Sequence, residues 1–590
     1  MNNMKKHHIS YLLALAVLAP VTASAQKIDP TLEVTREFDG SFMSVHKSRL
    51  DSSINDSLLR YIPDFKYTIF EKPYRNNEKF IPSPAMELAS ELNEASYNFS
   101  ANIEGLYPAE GKAGIFYSPL HNPGNTMSFY GSFDYFNAKI PVQKINAENE
   151  SERDFDNKQW GNYRTALGGM QYLHGWESGT LSINTSYDNN MYFFRGMPDD
   201  EMPHTYDRQY VKDHFSHTFN RFCAGGSIKS HDTDNYTGRF GYSTNIFYQN
   251  TCDRFGDGII AAGNENRITE NLFRLSGKIS PSFGRYRKFS LGFNWENVNY
   301  GGIKDYSYGI FGITPQYAFS YDRLNFLLGF KLSGRYKNLD NTDKYHRNIF
   351  PEIKIDVELI KNKLWFYTGA TGKNTVNSYS SILSQFKYSD PRGELMASSI
   401  PLDFRTGIKT SIYGNFTADV YWRYTMYHGL QQFISSNSDD SGISATETYS
   451  NHNETAFGIK IAAASGNFSG KAGMEYGTYT KGKKSLTLNG FKPFGFPNFK
   501  LYAETGYDWR NLITASVYVE ARSKTHSISN EGTEYTIKPF ANLGINVKYA
   551  VNKNFKIYLR LSNILNEHMQ YYAGYIEKGT SAAVGLLVKF

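Results

Sequence analysis

Phe555-Lys556-Ile557-Tyr558-Leu559-Arg560-Leu561-Ser562 puts Phe, Ile, Leu and Leu on one set of alternate positions and Lys, Tyr, Arg and Ser on the other. Successive side chains of a strand point to opposite faces, so this run reads as a strand with one apolar and one polar face. The closing segment obeys the same rule, Ala582, Val584, Leu586, Val588 and Phe590 alternating with Ala583, Gly585, Leu587 and Lys589. Upstream, Ile513, Ala515, Val517, Val519 and Ala521 alternate with Thr514, Ser516, Tyr518, Glu520 and Arg522. Ile349, Ile353, Ile355, Val357 and Leu359 alternate with Glu352, Lys354, Asp356 and Glu358, and Leu324 to Leu332 does so with Lys331 on its polar face.

Alternation reconciles two facts of composition. The 590 residues include 45 Tyr, 42 Phe, 6 Trp and 49 Gly, yet the mean hydropathy is −0.51. Aromatics this dense exclude a disordered chain, because they bury enough surface to offset chain entropy. Two Cys exclude a disulfide scaffold. Apart from Ile9–Val21, no apolar run approaches the ~18 residues of a helical membrane span. The 63 Lys and Arg against 57 Asp and Glu give a net charge of +6, spread along the chain without the basic stripe that nucleic-acid binding requires.

The first residues, Met1 to His8, carry Lys5 and Lys6; an apolar run from Ile9 follows, and Ala23-Ser24-Ala25 precedes Gln26. These are the basic, apolar and small-residue regions of a secretory signal peptide, with cleavage after Ala25. The reading of domains is therefore residues 1–25 as signal, 26–94 as a short N-terminal periplasmic or lumen-inserted segment, and 95–590 as the β domain.

A β-sandwich also alternates, so connection lengths decide. Tight joins at Gly175–Glu177, Asp322, Lys361–Asn362, Gly466 and Arg510 take turns with long polar connections such as Pro141–Gly161, Arg195–Val211, Lys337–His346, Gly372–Pro401 and Asn563–Gly579. Brief turns on one side and long loops on the other are the asymmetry of an outer-membrane barrel. The expected fold is all-β, a transmembrane antiparallel β-barrel of about 22 strands with short periplasmic turns, long extracellular loops and both ends periplasmic. Its least marked pair is the first, Ala95–Gly105 and Lys112–Pro119. Aromatics such as Tyr187, Trp295, Trp422, Tyr424 and Tyr549 are expected at the membrane interfaces.

The stretch Ile557-Tyr-Leu-Arg-Leu-Ser-Asn-Ile-Leu-Asn566, continuing through Tyr571-Tyr-Ala-Gly-Tyr575 to Gly585-Leu-Leu-Val-Lys-Phe590, resembles the closing segment of TonB-dependent receptors. Ile564-Leu565 stands where that family has Leu-Phe. Val584, Leu586, Val588 and the terminal Phe590 resemble the signal read by the barrel-assembly machinery. Lys27–Arg36 and Phe65–Tyr74 resemble plug-less relatives of those receptors. A receptor plug takes on the order of 130 residues, and 26–94 is about half that. Thr31-Leu-Glu-Val-Thr35 is only a weak likeness of an energy-coupling box. The resemblance implies solute uptake or passage in a Gram-negative outer membrane without a full plug. The rival reading is a non-transporting envelope scaffold or accessory subunit that binds other outer-membrane proteins. Implied partners are outer-membrane lipid and lipopolysaccharide, the assembly machinery, and envelope proteins meeting residues 26–94.

No catalytic grouping stands out, so no enzyme, cofactor or metal is expected. His214 and His217, three apart in an expected strand, face opposite sides. With a turn at Thr233–Asp234, Cys223 would face residue 243 or 244, too far from Cys252 for a disulfide. Acidic loops at Glu148–Asp156, Asp199–His204 and Asp439–Asp440 suit Ca²⁺ by charge but have no EF-hand spacing. The candidate lumen-lining residues are Lys331, Glu352, Lys354, Asp356, Glu358, Arg423, Glu520, Arg522, Lys538, Lys548, Lys556 and Arg560. They would solvate a wide lumen and favour polar or anionic solutes.

Overall fold

The computed structural model describes residues 98–590, apart from residue 123 and residues 142–157, 195–207, 232–239, 257–266, 284–285, 303–304, 340–341, 390–392, 413–414, 436–443, 483–489, 529–533 and 574. The signal peptide, the 26–94 segment and the three acidic loops lie outside the described residues.

Twenty-two antiparallel strands form one closed sheet. Each pairs with its sequence neighbours, and the first, Phe99–Tyr107, pairs with the last, Ser581–Lys589. The seam is tied to its end: Phe99 N–H donates to the Phe590 carbonyl at 2.9 Å and Phe590 N–H returns to the Phe99 carbonyl at 2.8 Å. Both barrel ends thus share the rim that carries the short turns, the periplasmic rim.

The apolar faces point out and the polar faces point in. Ile349 is 74% exposed while its neighbour Phe350 is 1% exposed. On the final strand Val584, Leu586 and Phe590 are exposed while Ala583 and Leu587 are buried. A sandwich would bury the apolar face, so this inversion excludes it. Outward aromatics gather near the short turns, as at Tyr321 and Tyr549, and again higher, as at Tyr187, Trp295, Phe311 and Trp422. At ~3.3 Å per residue and a tilt of ~40°, Phe311 and Tyr321 on one strand stand about 25 Å apart along the membrane normal, the height of an outer-membrane apolar band.

Several expectations are corrected. The opening strands are Phe99–Tyr107 and Glu110–Asn122. The expected long connection at Lys337–His346 is mostly strand, because Leu324–Leu339 and Thr342–Ile360 stay paired up to Leu339 and Thr342. Strands such as Ser444–Ser465, with 22 residues, overrun a ~10-residue span; above the bilayer, hairpins continue to pair in water. Cys223 is paired with Gln249, because the turn lies later, between Ser230 and Gly241, and both cysteines are free thiols. His214 ends a short helix, Arg208–His214, and only His217 is in the next strand.

The abundance of Tyr and Gly has a structural cause. Tyr558 lies across Gly585, its partner on the last strand, and donates to Glu104 Oε2 at 2.9 Å on the first strand, where Glu104 pairs with Gly585. A Cβ on Gly585 would meet Tyr558 Cζ at 2.2 Å, so the phenol can cross only a glycine. Tyr421 likewise crosses Gly458 to reach Glu475 at 2.8 Å. Tyr518 crosses Gly544 to Ser562 at 3.1 Å. Each phenol braces three strands on the inner wall. Replacing Gly585 with Val should displace Tyr558 and lower the temperature at which the unheated, folded band disappears in SDS gels. Tyr558→Phe should cost about 1 kcal/mol; an unshifted transition in both variants would show that the brace does not support the seam.

Candidate functional site

The lumen is crossed near its external mouth by the connection from Leu364–Val376 to Ala397–Ile412. It contains a helix, Tyr379–Gln385, whose N-cap is Ser378; the Ser378 hydroxyl accepts from Ser381 N–H at 3.2 Å. Tyr379, Ile382, Leu383 and Phe386 fall at i, i+3, i+4 and i+7, so they share one face. All four are buried and pack with the inward side chains Ile268, Leu272, Val298, Tyr300, Tyr308 and Ile310. Seven residues are too few to hold a helix alone in water, so docking to the wall stabilises it. Burying Ile382 and Leu383 contributes roughly 1.5–3 kcal/mol each.

Polar ties fix the same segment. The Glu270 carboxylate accepts from the Tyr379 and Ser380 N–H groups at 2.5 and 3.1 Å, satisfying two donors of the first helical turn. The Tyr379 phenol donates to Asp253 Oδ2 at 2.7 Å, and His217 Nδ1 lies 3.2 Å from the same oxygen. Tyr308 donates to the Asn377 carbonyl at 2.7 Å, and Leu395 N–H donates to the Tyr306 hydroxyl at 3.0 Å. Burial, with the Asp253 carboxylate beside it, pushes the Tyr379 phenol well above its usual range. Tyr379 therefore stays a neutral donor below the ordinary phenol range, and this tie weakens only as the pH rises above it.

On its other side the segment reaches the last external connection and a distant wall strand. Phe386 packs against Tyr572 at 4.1 Å, Tyr575 at 4.8 Å and Phe433 at 5.1 Å between ring centres. Tyr572 donates to the Gln385 carbonyl at 3.1 Å. The connection is thus a crosspiece, anchored on the wall around Glu270 and on the loop around Tyr572.

Most candidate lumen residues form paired clusters on the inner wall. Lys331 and Lys354 approach Glu352 at 4.0 and 3.7 Å, and Lys331 also donates to the Gly372 carbonyl at 3.3 Å. Arg423 lies 2.8 Å from Glu454 and 3.5 Å from Glu475. Arg522 pairs with Glu520 at 3.1 Å, and Arg560 pairs with Glu104 at the seam. Asp356, Lys548 and Lys556 are half-buried on inward positions, and Glu358 accepts from the Asn362 N–H in the adjoining turn. Lys538 is different: it is exposed in the link between the external hairpin Thr525–Ile528/Glu534–Ile537 and the strand Phe540–Ala550. Val584, Leu586, Val588 and Phe590 share the outward face, Phe590 lying 6.4 Å from Phe99 and 5.9 Å from Phe555 between ring centres.

Sequence reading missed Glu270, Asp253, His217 and Tyr379 as one group. Each sits in an ordinary alternating strand or a polar loop, and only the closed barrel brings them together. The amphipathic spacing from Tyr379 to Phe386 behind Ser378 was the available signal. Replacing Ile382 and Leu383 with Asp should free the segment, so that added protease cuts within 377–396 several-fold faster while the barrel keeps its folded gel mobility. Glu270→Gln should give a smaller increase; protection unchanged in the double variant would contradict docking through this face.

No family model and no curated protein matches the sequence. Solved structures do. The FrpB iron transporter from Neisseria meningitidis aligns with a TM-score of 0.65 at 9% identity, over 86% of this chain and 83% of that one. The siderophore receptor PirA from Acinetobacter baumannii aligns at 0.61 and 12% identity, over 84% and 81%. The copper transporter OprC aligns at 0.59 and 10% identity, over 83% and 80%. With strand count, closure and the apolar exterior, these likenesses identify the fold as the 22-strand barrel of TonB-dependent receptors, a barrel of the Gram-negative outer membrane.

Proposed function

We propose that the protein passes a polar solute across the outer membrane through its lumen, with the 377–396 segment as an external gate. The observation that carries this reading is the crosspiece. A structural filler would need only to occupy space, whereas this segment is held by its own apolar face and by specific wall carboxylates. FrpB is an iron transporter and OprC a copper transporter, and PirA is a siderophore receptor, which supports a transport role for a barrel of the same fold.

The charges on the inner wall refine the solute. Lys331, Glu352, Lys354, Arg423, Glu520, Arg522 and Arg560 lie in pairs of opposite sign. Paired charges solvate a passage without giving it a strong field of one sign. This balance supports a polar or zwitterionic solute over a simple anion, with Asp356, Glu358, Lys548 and Lys556 as further wetting groups. The length of 26–94 supports passage without a full resident plug, the 377–396 segment taking part of that role.

Planar-bilayer recording checks the proposal. The full-length protein should conduct weakly, and replacing Asn377–Met396 with a short Gly-Ser link should raise single-channel conductance several-fold. Absence of conductance in both, with the folded barrel confirmed, would sink the gated-passage reading and favour the envelope scaffold.

A further inference from the structure

Near the external mouth one rung of the inner wall is made of rings. Phe136, Tyr163, Tyr192, His217 and Phe255 are successive direct partners across five neighbouring strands, from Asn125–Pro141 to Gly241–Phe255. All take inward positions, and their ring centres follow one another at 5.3, 6.2, 5.6 and 5.6 Å. Glu110, the partner of Phe136, ends the row on one side, and its carboxylate accepts from the Tyr163 phenol at 2.7 Å. The next rung toward the periplasm, again of direct partners, reads Asp134, Thr165, Asn190, Phe219 and Asp253. Ring faces carry negative potential, so a row of rings beside carboxylates attracts an organic cation.

The chain seats its own ammonium groups there. Lys387, which follows the docked Phe386 in the crosspiece, holds Nζ 4.2 Å from the Tyr192 ring centre and 5.0 Å from that of Tyr163. Lys578, in the last external connection, holds Nζ 5.3 Å from Phe136 and 5.9 Å from Tyr163 and pairs with Glu110. Both lysines belong to connections and not to the wall. Lifting them away leaves Glu110, Asp134 and Asp188 around the row against Lys112 and Arg221, an excess of negative charge.

A second feature asks for a donor. His217 is fully buried within the row, with Nδ1 3.2 Å from Asp253 Oδ2. That oxygen also accepts from Tyr379, which assigns the His217 proton to Nδ1 and a lone pair to Nε2. His217 Nε2 and Asp253 Oδ1 are buried with no hydrogen-bond partner among the described residues. Unmatched buried acceptors cost stability, and N–H donors are what both lack.

We infer that the row recognises a solute carrying a primary ammonium group, and that Lys387 occupies it in the closed arrangement as a tethered stand-in. The solute's ammonium replaces that of Lys387 over Tyr163 and Tyr192 and donates toward His217 Nε2 and Asp253 Oδ1. Solute and Lys387 exclude each other, so binding favours the arrangement with the crosspiece lifted. This coupling rests on the gated-passage reading; binding to the row does not.

Full-length protein in neutral detergent, titrated with n-butylammonium and followed by saturation-transfer NMR, tests the site. Lys387→Met keeps the side chain's length and removes its charge, so K387M should bind the probe about tenfold more tightly than the unmodified protein, the scale of a desolvated cation–π contact. K387M/Y192L should lose that gain; folded gel mobility confirms each barrel. n-Butanol, glucose and tetramethylammonium, which has no N–H donor, should bind K387M several-fold more weakly than the probe. No gain in K387M, a gain that survives Y192L, or equal binding of any of the three overturns the inference. Cleavage by added protease within 377–396 reads the coupling separately, and n-butylammonium should speed it in the unmodified protein. Binding as expected with unchanged cleavage upholds the site and counts against the gate; gated conductance without probe binding does the reverse.

Discussion

Lipid offers no hydrogen bonds, and the rest of this structure follows from that. Every backbone N–H and C=O within the bilayer must find a partner in the chain, so the sheet has to close. Closure here depends on Phe99 meeting Phe590 and on Glu104 receiving both Tyr558 and Arg560. A break at this seam would leave two edge strands in lipid, each unpaired group costing several kcal/mol. The tyrosine braces add side-chain connections across three strands where backbone bonds link only two. The glycines beneath them are a geometric requirement of that bracing.

Closure divides the side chains into two populations with different solvents. Inward positions face a wet lumen, so charges there are tolerated and pair with one another. Outward positions face lipid over the band and headgroups above it. Beside the crosspiece the inner wall departs from this polar pattern, because Ile268, Leu272, Val298 and Ile310 form an apolar stretch of wall. Those four side chains are explained by the helix they cover.

The barrel was legible because its signal is repeated on every strand. Alternation at Phe555–Ser562 and Ala582–Phe590 assigned faces correctly, and alternating connection lengths placed both ends on one rim. The pairing of Arg423 or Arg522 was not legible, although their inward positions were, since partners come from other strands at a register set by turns. A shift in one turn moved the partner of Cys223 to Gln249. Lys538 was misplaced for a related reason: the external hairpin ends at Ile537, and alternation through Pro539 suggested a strand continuing upstream of Phe540. The docked helix was hidden by its shortness and by a polar composition that also fits an exposed loop.

The energetics of the crosspiece constrain how it opens. Releasing it exposes the face of Tyr379, Ile382, Leu383 and Phe386, at roughly 1.5–3 kcal/mol per large side chain. It also removes two N–H partners from Glu270 and the phenol from Asp253, though water entering the lumen repays much of that loss. Even a net cost of about 5.5 kcal/mol keeps the open population near one in ten thousand. Random fluctuation would then pass solute too rarely to matter at ordinary concentrations. A gate of this depth is moved by whatever binds the open arrangement better than the closed one. The groups positioned to supply that preference are those it uncovers: Glu270, Asp253 with His217, and the aromatic wall beside them.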